Sequence, residues 1–240
     1  MRTSEPVPVR DTTRGLRVNS LVSHMRNNGG DPKKMTGANR TDICLHWIYR
    51  SVLERDSIDL QRAMQLVFDP IRFSSSEGFQ RDGCYFQHGY QLYIGGYGEE
   101  ILKGITQVAA YTSGTRFALD SARVSFLGNY MRHTFYPAIR GKYMLYNALG
   151  RGVSRRNALS AKSDALFARR MISIDPAHAE EYRAIVARLE GKAEPSDGII
   201  PGHTHFYRGD FTLHVRKGWE YSVRMASVRT SRMEYEMGRI

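Results

Sequence analysis

The chain has 240 residues, 41% of them hydrophobic, 11% aromatic and 25% charged, and a formal net charge of +11. This composition excludes an intrinsically disordered protein. The sequence contains no run of about 20 apolar residues, so no transmembrane helix is predicted. The first ten residues, MRTSEPVPVR, lack the apolar core of a signal peptide, and two cysteines are too few for a disulfide framework or a Cys-type zinc site.

Arginine contributes 28 of the 35 basic residues. Its planar guanidinium pairs bidentately with carboxylate, sulfate or phosphate, so we expect an anionic partner. Composition alone leaves open whether that partner is a nucleic acid, an acidic polysaccharide or a protein surface. A merely basic surface is a further alternative.

The first 35 residues or so show no periodicity, and helical patterning begins near Thr41, with Thr41 or Asp42 as the N-cap. A second helix is predicted over 57–68, where Ser57 suits an N-cap and Asp69-Pro70 stops the helix. Residues 71–98 read as a long loop rich in glycine and aromatic residues. Loops of that length inside a compact domain usually serve a function.

Further helices are predicted from Glu99 onward and over 116–131, 157–170 and 176–190, the last with Gly191 as its C-cap. Residues 191–202 then read as a linker. Beyond the linker, apolar and polar residues alternate in segments rich in aromatic and β-branched residues, which predicts strands. The fold class is therefore mainly α with a C-terminal β segment, with helices over 1–190 and strands over 203–240.

Three segments carry residue types suited to chemistry. The loop 82–98, DGCYFQHGYQLYIGGYG, combines one histidine, four tyrosines and several glycines, as sugar-binding surfaces often do; the structural alternative is a packed aromatic loop with a hydrogen-bonded His88. In TGANRTD (36–42) the asparagine suits either a ligand contact or a turn. In GRGVSRR (150–156) the arginines either bind an oxyanion or lie in a solvated basic loop. The glycines match no nucleotide-binding fingerprint.

The spans GANRTDICLH, DGCYFQHGYQLYIGGYGEEILKGI and LGRGVSR, in this order and at these separations, resemble the polysaccharide lyases of family eight. That family includes chondroitin AC, hyaluronate and xanthan lyases, and the likeness is greatest to the chondroitin branch. The resemblance implies an incomplete α/α toroid followed by a β-sandwich. On this basis 1–190 is a truncated toroid, 203–240 is the start of an incomplete sandwich, and the chain is a fragment.

The resemblance also implies roles for particular residues. The matched catalytic positions are Asn39, His88, Tyr97, Arg151 and Glu234, with Glu236 as an alternative to Glu234. The expected substrate-binding residues are Arg155, Gln87, Tyr93 and Arg156.

The chemistry of these residue types suits β-elimination from a uronic acid linked through its C4 oxygen. The C5 proton becomes more acidic when the neighbouring carboxylate is neutralised, which an asparagine amide and a histidine can do by hydrogen bonding. A phenol has an ordinary pKa of about 10, which a nearby arginine lowers, so that tyrosine can act first as base and then as acid. Neither a metal nor a cofactor is required.

The resemblance therefore predicts a lyase that cleaves chondroitin sulfate or hyaluronan. The alternatives are an inactive remnant that only binds acidic glycans and a nucleic-acid-binding protein, although no nucleic-acid motif is present. A complementary chain supplying the remaining toroid helices and sandwich is a further expected partner. Family resemblance implies an extracellular or periplasmic location.

Overall fold

In the computed structural model, residues 31–231 are described. The chain divides into two compact units, Met1–Pro70 and Ile71–Ile240. The helices are α1 (Gly37–Glu54), α2 (Ser57–Phe68), α3 (Tyr97–Thr112), α4 (Ser121–Tyr130), α5 (Ala165–Ile174) and α6 (Ala179–Leu189). The strands are β1 (Gly78–Phe79), β2 (Tyr85–Phe86), β3 (Ile139–Arg140), β4 (Tyr143–Met144), β5 (Gly202–Phe206), β6 (Phe211–Val215) and β7 (Glu220–Arg224).

The described part of the first unit is a pair of packed helices, α1 and α2. α1 begins at Gly37 with Thr36 as its N-cap, so the predicted caps Thr41 and Asp42 are wrong because the motif around Asn39 is already helical. α2 has the predicted bounds. Its N-cap is Asp56 rather than the residue after it, since the Asp56 carboxylate accepts hydrogen bonds from two backbone N–H groups of the first turn.

The predicted loop 71–98 contains a small hairpin. β1 and β2 pair antiparallel, with Phe79 opposite Tyr85, and both side chains are buried. The chain then makes a tight turn over 87–91 before α3 begins at Tyr97, two residues earlier than the sequence pattern predicts. The predicted loop therefore contains paired strands and a hydrogen-bonded turn.

The helices of the second unit form a packed layer in which α5 contacts both α3 and α6. Three predicted starts are wrong. The helix predicted from 176 is α6, which begins at Ala179 because Pro176–His178 forms a separate 3₁₀ turn. α4 begins at Ser121, because the Asp120 side chain caps its first turn, and α5 begins at Ala165, because Asn157 has a left-handed φ of 58° that a helix cannot continue through. The apolar face of α3 is fully buried and consists of Ile101, Leu102, Ile105 and Val108.

The C-terminal strands form an antiparallel sheet in the order β5-β6-β7. One face is buried and belongs to Phe206, Phe211, Leu213 and Val215. Hydrogen bonds from Arg208 N to Asp82 Oδ2 (2.6 Å) and between Asn147 and Ser222 (3.0 Å) attach this sheet to the loops of the same unit. The predicted class, mainly α with a C-terminal β segment, is confirmed, while the boundary at 191–202 stays a prediction.

Within residues 31–231, none of the helices combines the length and apolar character needed to cross a lipid bilayer.

Candidate functional site

Tyr97 is the first residue of α3, and its hydroxyl group is the centre of a small polar cluster. His88 Nε2 lies 2.6 Å from Tyr97 Oη, and Arg151 Nη2 donates a hydrogen bond of 2.9 Å to the same oxygen. Gly96, the residue before the helix, has a φ of 56°. Glycine adopts this conformation without strain, which allows the chain to turn sharply into α3. The fold therefore joins three residues that are up to 63 positions apart.

His88 lies in the tight turn that follows β2. Its φ is 56°, which is uncommon for a residue with a Cβ, and Gly89 follows with a φ of 77°. The imidazole and phenol ring centroids of His88 and Tyr97 lie 4.8 Å apart. In this structure His88 has a left-handed backbone conformation, and its imidazole lies beside the Tyr97 phenol.

Arg151 lies in a 3₁₀ turn, Gly150–Ser154. Its guanidinium carbon is 5.5 Å from the Tyr97 ring centroid, and its backbone N–H donates a 3.4 Å hydrogen bond to Tyr93 Oη. Gly150 has a φ of 67°, and a Cβ there would lie 2.1 Å from Tyr93 Cε1. Only glycine permits this approach of the turn to the buried tyrosine.

Two of the predicted substrate-binding residues form a buried layer beneath the cluster. Tyr93 is 2% exposed, and its ring packs edge-on against Tyr97 with centroids 5.1 Å apart. Gln87 is 1% exposed, donates a 2.8 Å hydrogen bond to Glu77 and accepts one of 3.2 Å from Tyr85. These positions suit support of His88 and Tyr97 rather than broad contact with a large ligand.

Two cavities adjoin the cluster, one of about 390 Å³ and one of about 640 Å³. Tyr97 lines the smaller one, where the exposed Arg155 and Arg156 contribute further positive charge. Arg151 and Tyr93 line both cavities. The larger cavity extends to the end of β7 and is lined also by Tyr146, Asn147 and Arg224. An extended anionic molecule would find arginines in both.

Two acidic residues, Glu99 and Glu100, also line the smaller cavity. Glu99 lines the cavity and shares a hydrogen bond with the buried Asp164. Burial raises the pKa of both carboxyl groups, and the neighbouring Glu100 raises that of Glu99 further. Burial thus favours the neutral form of these two carboxyl groups, which favours less negative charge beside the arginines of this cavity.

The other predicted catalytic residues are Asn39 and Glu234, with Glu236 as the alternative to Glu234. Asn39 occupies the first turn of α1 in the first unit, and its Oδ1 is buried and accepts no hydrogen bond from any residue in 31–231. Glu234 and its alternative Glu236 lie outside the described residues. The roles of these three residues therefore stay predictions.

No sequence motif marks Glu77, Glu99, Asn147 or Arg224 as site residues. Glu77 contacts the turn that carries His88. Glu99, Asn147 and Arg224 line the cavities, from three segments of the chain. No spacing rule connects these residues, because each reaches the site only through the folding of its segment.

Comparison with known proteins gives a consistent picture. The family described as polysaccharide lyase family 8, N-terminal α-helical domain, matches residues 9–188. A chondroitinase-AC from Pedobacter heparinus is 39% identical over 90% of this chain and 31% of its own length. A hyaluronate lyase HylB from Cutibacterium acnes is 31% identical over 65% of this chain and 20% of its own length.

Solved structures agree. A chondroitinase AC lyase studied in complex with oligosaccharides superposes with a TM-score of 0.82 and 39% identity, over 85% of this chain and 30% of that one. A Streptomyces coelicolor chondroitin AC lyase, 19% identical, shares the fold with a TM-score of 0.70 over 90% of this chain and 34% of that one. The chain thus spans about a third or less of the length of these relatives. Its match to the family over most of its residues shows that the chain belongs to polysaccharide lyase family 8.

Proposed function

We propose that this chain carries the catalytic cluster of a lyase that cleaves uronic-acid-containing glycosaminoglycans, chondroitin sulfate or hyaluronan, by β-elimination. The observation that carries the proposal is the Tyr97 hydroxyl, held between the His88 imidazole and the Arg151 guanidinium. Membership of family 8 supports the reaction class, since relatives named chondroitinase and hyaluronate lyase are 39% and 31% identical to the aligned parts of this chain.

In the proposed reaction, Tyr97 Oη removes the proton from C5 of the uronic acid. The electrons of the C5–H bond form the C4=C5 double bond as the C4–O bond breaks. The departing glycosidic oxygen takes the proton back from Tyr97, so the tyrosine acts in turn as base and acid. Arg151, 2.9 Å from the hydroxyl oxygen, supplies positive charge that stabilises the phenolate, the form of Tyr97 that is needed before the first step and regenerated after the second.

The uronate carboxylate must be neutralised before C5 can lose its proton. We assign this role to His88 together with Asn39, whose amide and imidazole groups can donate hydrogen bonds where charge develops. The role of Asn39 rests on the family motif GANRTD, and that of Glu234 (or Glu236) as an orienting carboxylate rests on the motif alone.

Binding of the polymer is proposed to use Arg155 and Arg156, which are exposed at the smaller cavity and can pair with carboxylate or sulfate groups. Gln87 and Tyr93 are proposed to contribute by supporting the reacting groups. A complementary chain supplying the rest of the family's domains is a proposed partner, and an extracellular or periplasmic location would bring the protein to its substrate.

The test is incubation of the 240-residue chain with chondroitin sulfate and with hyaluronan, following the ultraviolet absorbance of the unsaturated uronate product. Tyr97→Phe should lower the rate by about 10²–10⁴-fold, the range for loss of acid–base catalysis. Tyr207→Phe is the matched control, because Tyr207 is 53% exposed and lines neither cavity.

The possible results separate the hypotheses. Saturable binding of the polymers without any product would contradict the lyase proposal and favour a glycan-binding remnant. Equal retention on DNA and on chondroitin sulfate, again without product, would favour a general polyanion-binding protein.

A further inference from the structure

The turn that carries His88 has a backbone conformation that the local sequence does not favour. Residues 88 and 89 both have positive φ, and position 88 is not glycine. Such conformations persist when surrounding contacts hold them, and they are frequent at functional sites. The Gln87 N–H donates a 3.2 Å hydrogen bond to the Gln91 carbonyl, which closes the turn. This bond does not fix the peptide groups of residues 88 and 89, so other contacts must hold them.

The carboxylate of Glu77 contacts this turn on both sides of His88. Gln87 Nε2 donates a 2.8 Å hydrogen bond to Glu77 Oε2, and the Gly89 N–H donates one of 3.0 Å to Glu77 Oε1. Hydrogen bonds to a charged acceptor are about twice as strong as those between neutral groups. Glu77 therefore holds the residues immediately before and after His88 at the same time.

The partner of Glu77 is itself fixed in orientation. Tyr85 Oη donates to Gln87 Oε1, so the Gln87 amide must present its Nε2 toward Glu77. Gln87 is 1% exposed, so no solvent replaces these bonds if they are lost. The chain of contacts runs from the hairpin through Gln87 and Glu77 to the backbone of the His88 turn.

We propose that Glu77 is a positioning residue that fixes the His88 turn and so aims the imidazole Nε2 at Tyr97 Oη. Glu77 acts through His88. The effect on turnover rests on the proposed lyase function, whereas the effect on the His88 ring does not.

The experiment compares Glu77→Gln with the double variant Glu77→Gln/Gln87→Glu. In the single variant the new amide at position 77 can still accept from the Gly89 N–H, but its NH₂ group then faces the NH₂ group of Gln87. In the double variant the polarity is reversed, because the amide at 77 donates to a carboxylate at 87, whose second oxygen still accepts from Tyr85. Glu180→Gln, on an exposed helical surface with a side chain 89% exposed, controls for loss of charge.

Two readouts are used on the full chain. Nuclear magnetic resonance of the imidazole nitrogens should show the His88 signals displaced in Glu77→Gln and returned in the double variant. With chondroitin sulfate as substrate, kcat of the single variant should fall by up to about 10²-fold with little change in KM, and the double variant should recover it.

The outcomes are distinct. Unchanged His88 signals in folded Glu77→Gln would overturn the proposal, as would a folded double variant that recovers neither signal nor rate. If Glu77→Gln does not fold, the double variant alone decides, with wild-type His88 signals expected. If the wild-type chain releases no product, the lyase function fails while the imidazole signals still test the positioning role.

Discussion

Replacing Gly150 with alanine should destabilise the protein through one defined contact. Gly150 has a φ of 67°, and an added Cβ would lie 2.1 Å from Tyr93 Cε1 and 2.6 Å from Tyr93 Cδ1. Tyr93 is buried against Tyr97, so its ring cannot withdraw without disturbing the site. Gly114 provides a matched comparison, because its φ is 73° and nothing lies within 4 Å of a Cβ built there.

The two substitutions share one contribution and differ in another. Left-handed φ strains an alanine by roughly 1–2 kcal/mol, and restriction of the unfolded chain offsets about 0.4–1 kcal/mol of this, so Gly114→Ala should lose about 1 kcal/mol. Overpacking against Tyr93 should add about 1–3 kcal/mol to Gly150→Ala. For a chain of this length, 1 kcal/mol corresponds to roughly 2–4 °C in Tm, so the two variants should differ by about 2–12 °C.

The assay is thermal unfolding of both variants and wild type, followed by circular dichroism, with lyase activity measured beside it. Gly150→Ala should also lose activity, since the turn that carries Arg151 must move, whereas Gly114→Ala should keep it. Equal Tm values for the two variants would show that a Cβ at position 150 does not destabilise the protein through its contact with Tyr93.

Three further predictions concern buried polar groups. Both carboxylate oxygens of Glu220 are buried without a hydrogen bond among residues 31–231, and burial raises the pKa of this carboxyl group from 4.5 to about 7. The stability that Glu220 contributes is therefore full below about pH 4.5 and is lost as pH rises through about 7. Glu220→Gln should remove this decline in Tm. Arg188 is 1% exposed and donates to the carbonyls of Ile139 and Tyr136, so Arg188→Met should cost roughly 1–3 kcal/mol in urea unfolding. Burial raises the pKa of the Cys44 thiol to about 12, so iodoacetamide should label it only after unfolding.

Each of these has a contradicting result. A difference in Tm between wild type and Glu220→Gln that stays constant from pH 4 to pH 8 would exclude the buried carboxylate as its source. Arg183→Met, at an exposed position, is the control for Arg188, and an equal loss in both would refute the role of the buried carbonyl contacts. Rapid labelling of Cys44 in the native protein would contradict its burial.

The local parts of this fold follow from local chemistry. The bounds of α2 agree with prediction because a capping residue, an apolar periodicity and the Asp69-Pro70 stop are all encoded within a dozen neighbouring residues. The apolar face of α3 and the alternation along β6 were predictable for the same reason. The C-cap of α6 is Glu190 rather than the predicted Gly191, which follows it with a φ of 74° and turns the chain out of the helix.

Where the prediction was wrong, a non-local or unrecognised contact prevailed. The periodicity suggested that helical structure begins near Thr41, yet α1 begins at Gly37 and packs on α2, which places Asn39 in a helix. The pattern over 157–170 suggested a continuous helix, yet Asn157 takes a left-handed φ and α5 begins at Ala165. Periodicity reports which face is apolar, but it does not report where a chain must turn to reach its neighbours.

The sequence by itself determined the family and singled out His88, Tyr97 and Arg151 as candidate site residues, because residue type and spacing within a motif can be read without knowledge of the fold. Only the tertiary structure decided that these three groups meet at one hydroxyl oxygen, that Gln87 and Tyr93 lie buried beneath them, and that Glu77 holds the turn from both sides. The physical reason is range: a motif records residue type and spacing, whereas hydrogen bonds of 2.6–3.0 Å between distant segments exist only once packing has brought those segments together.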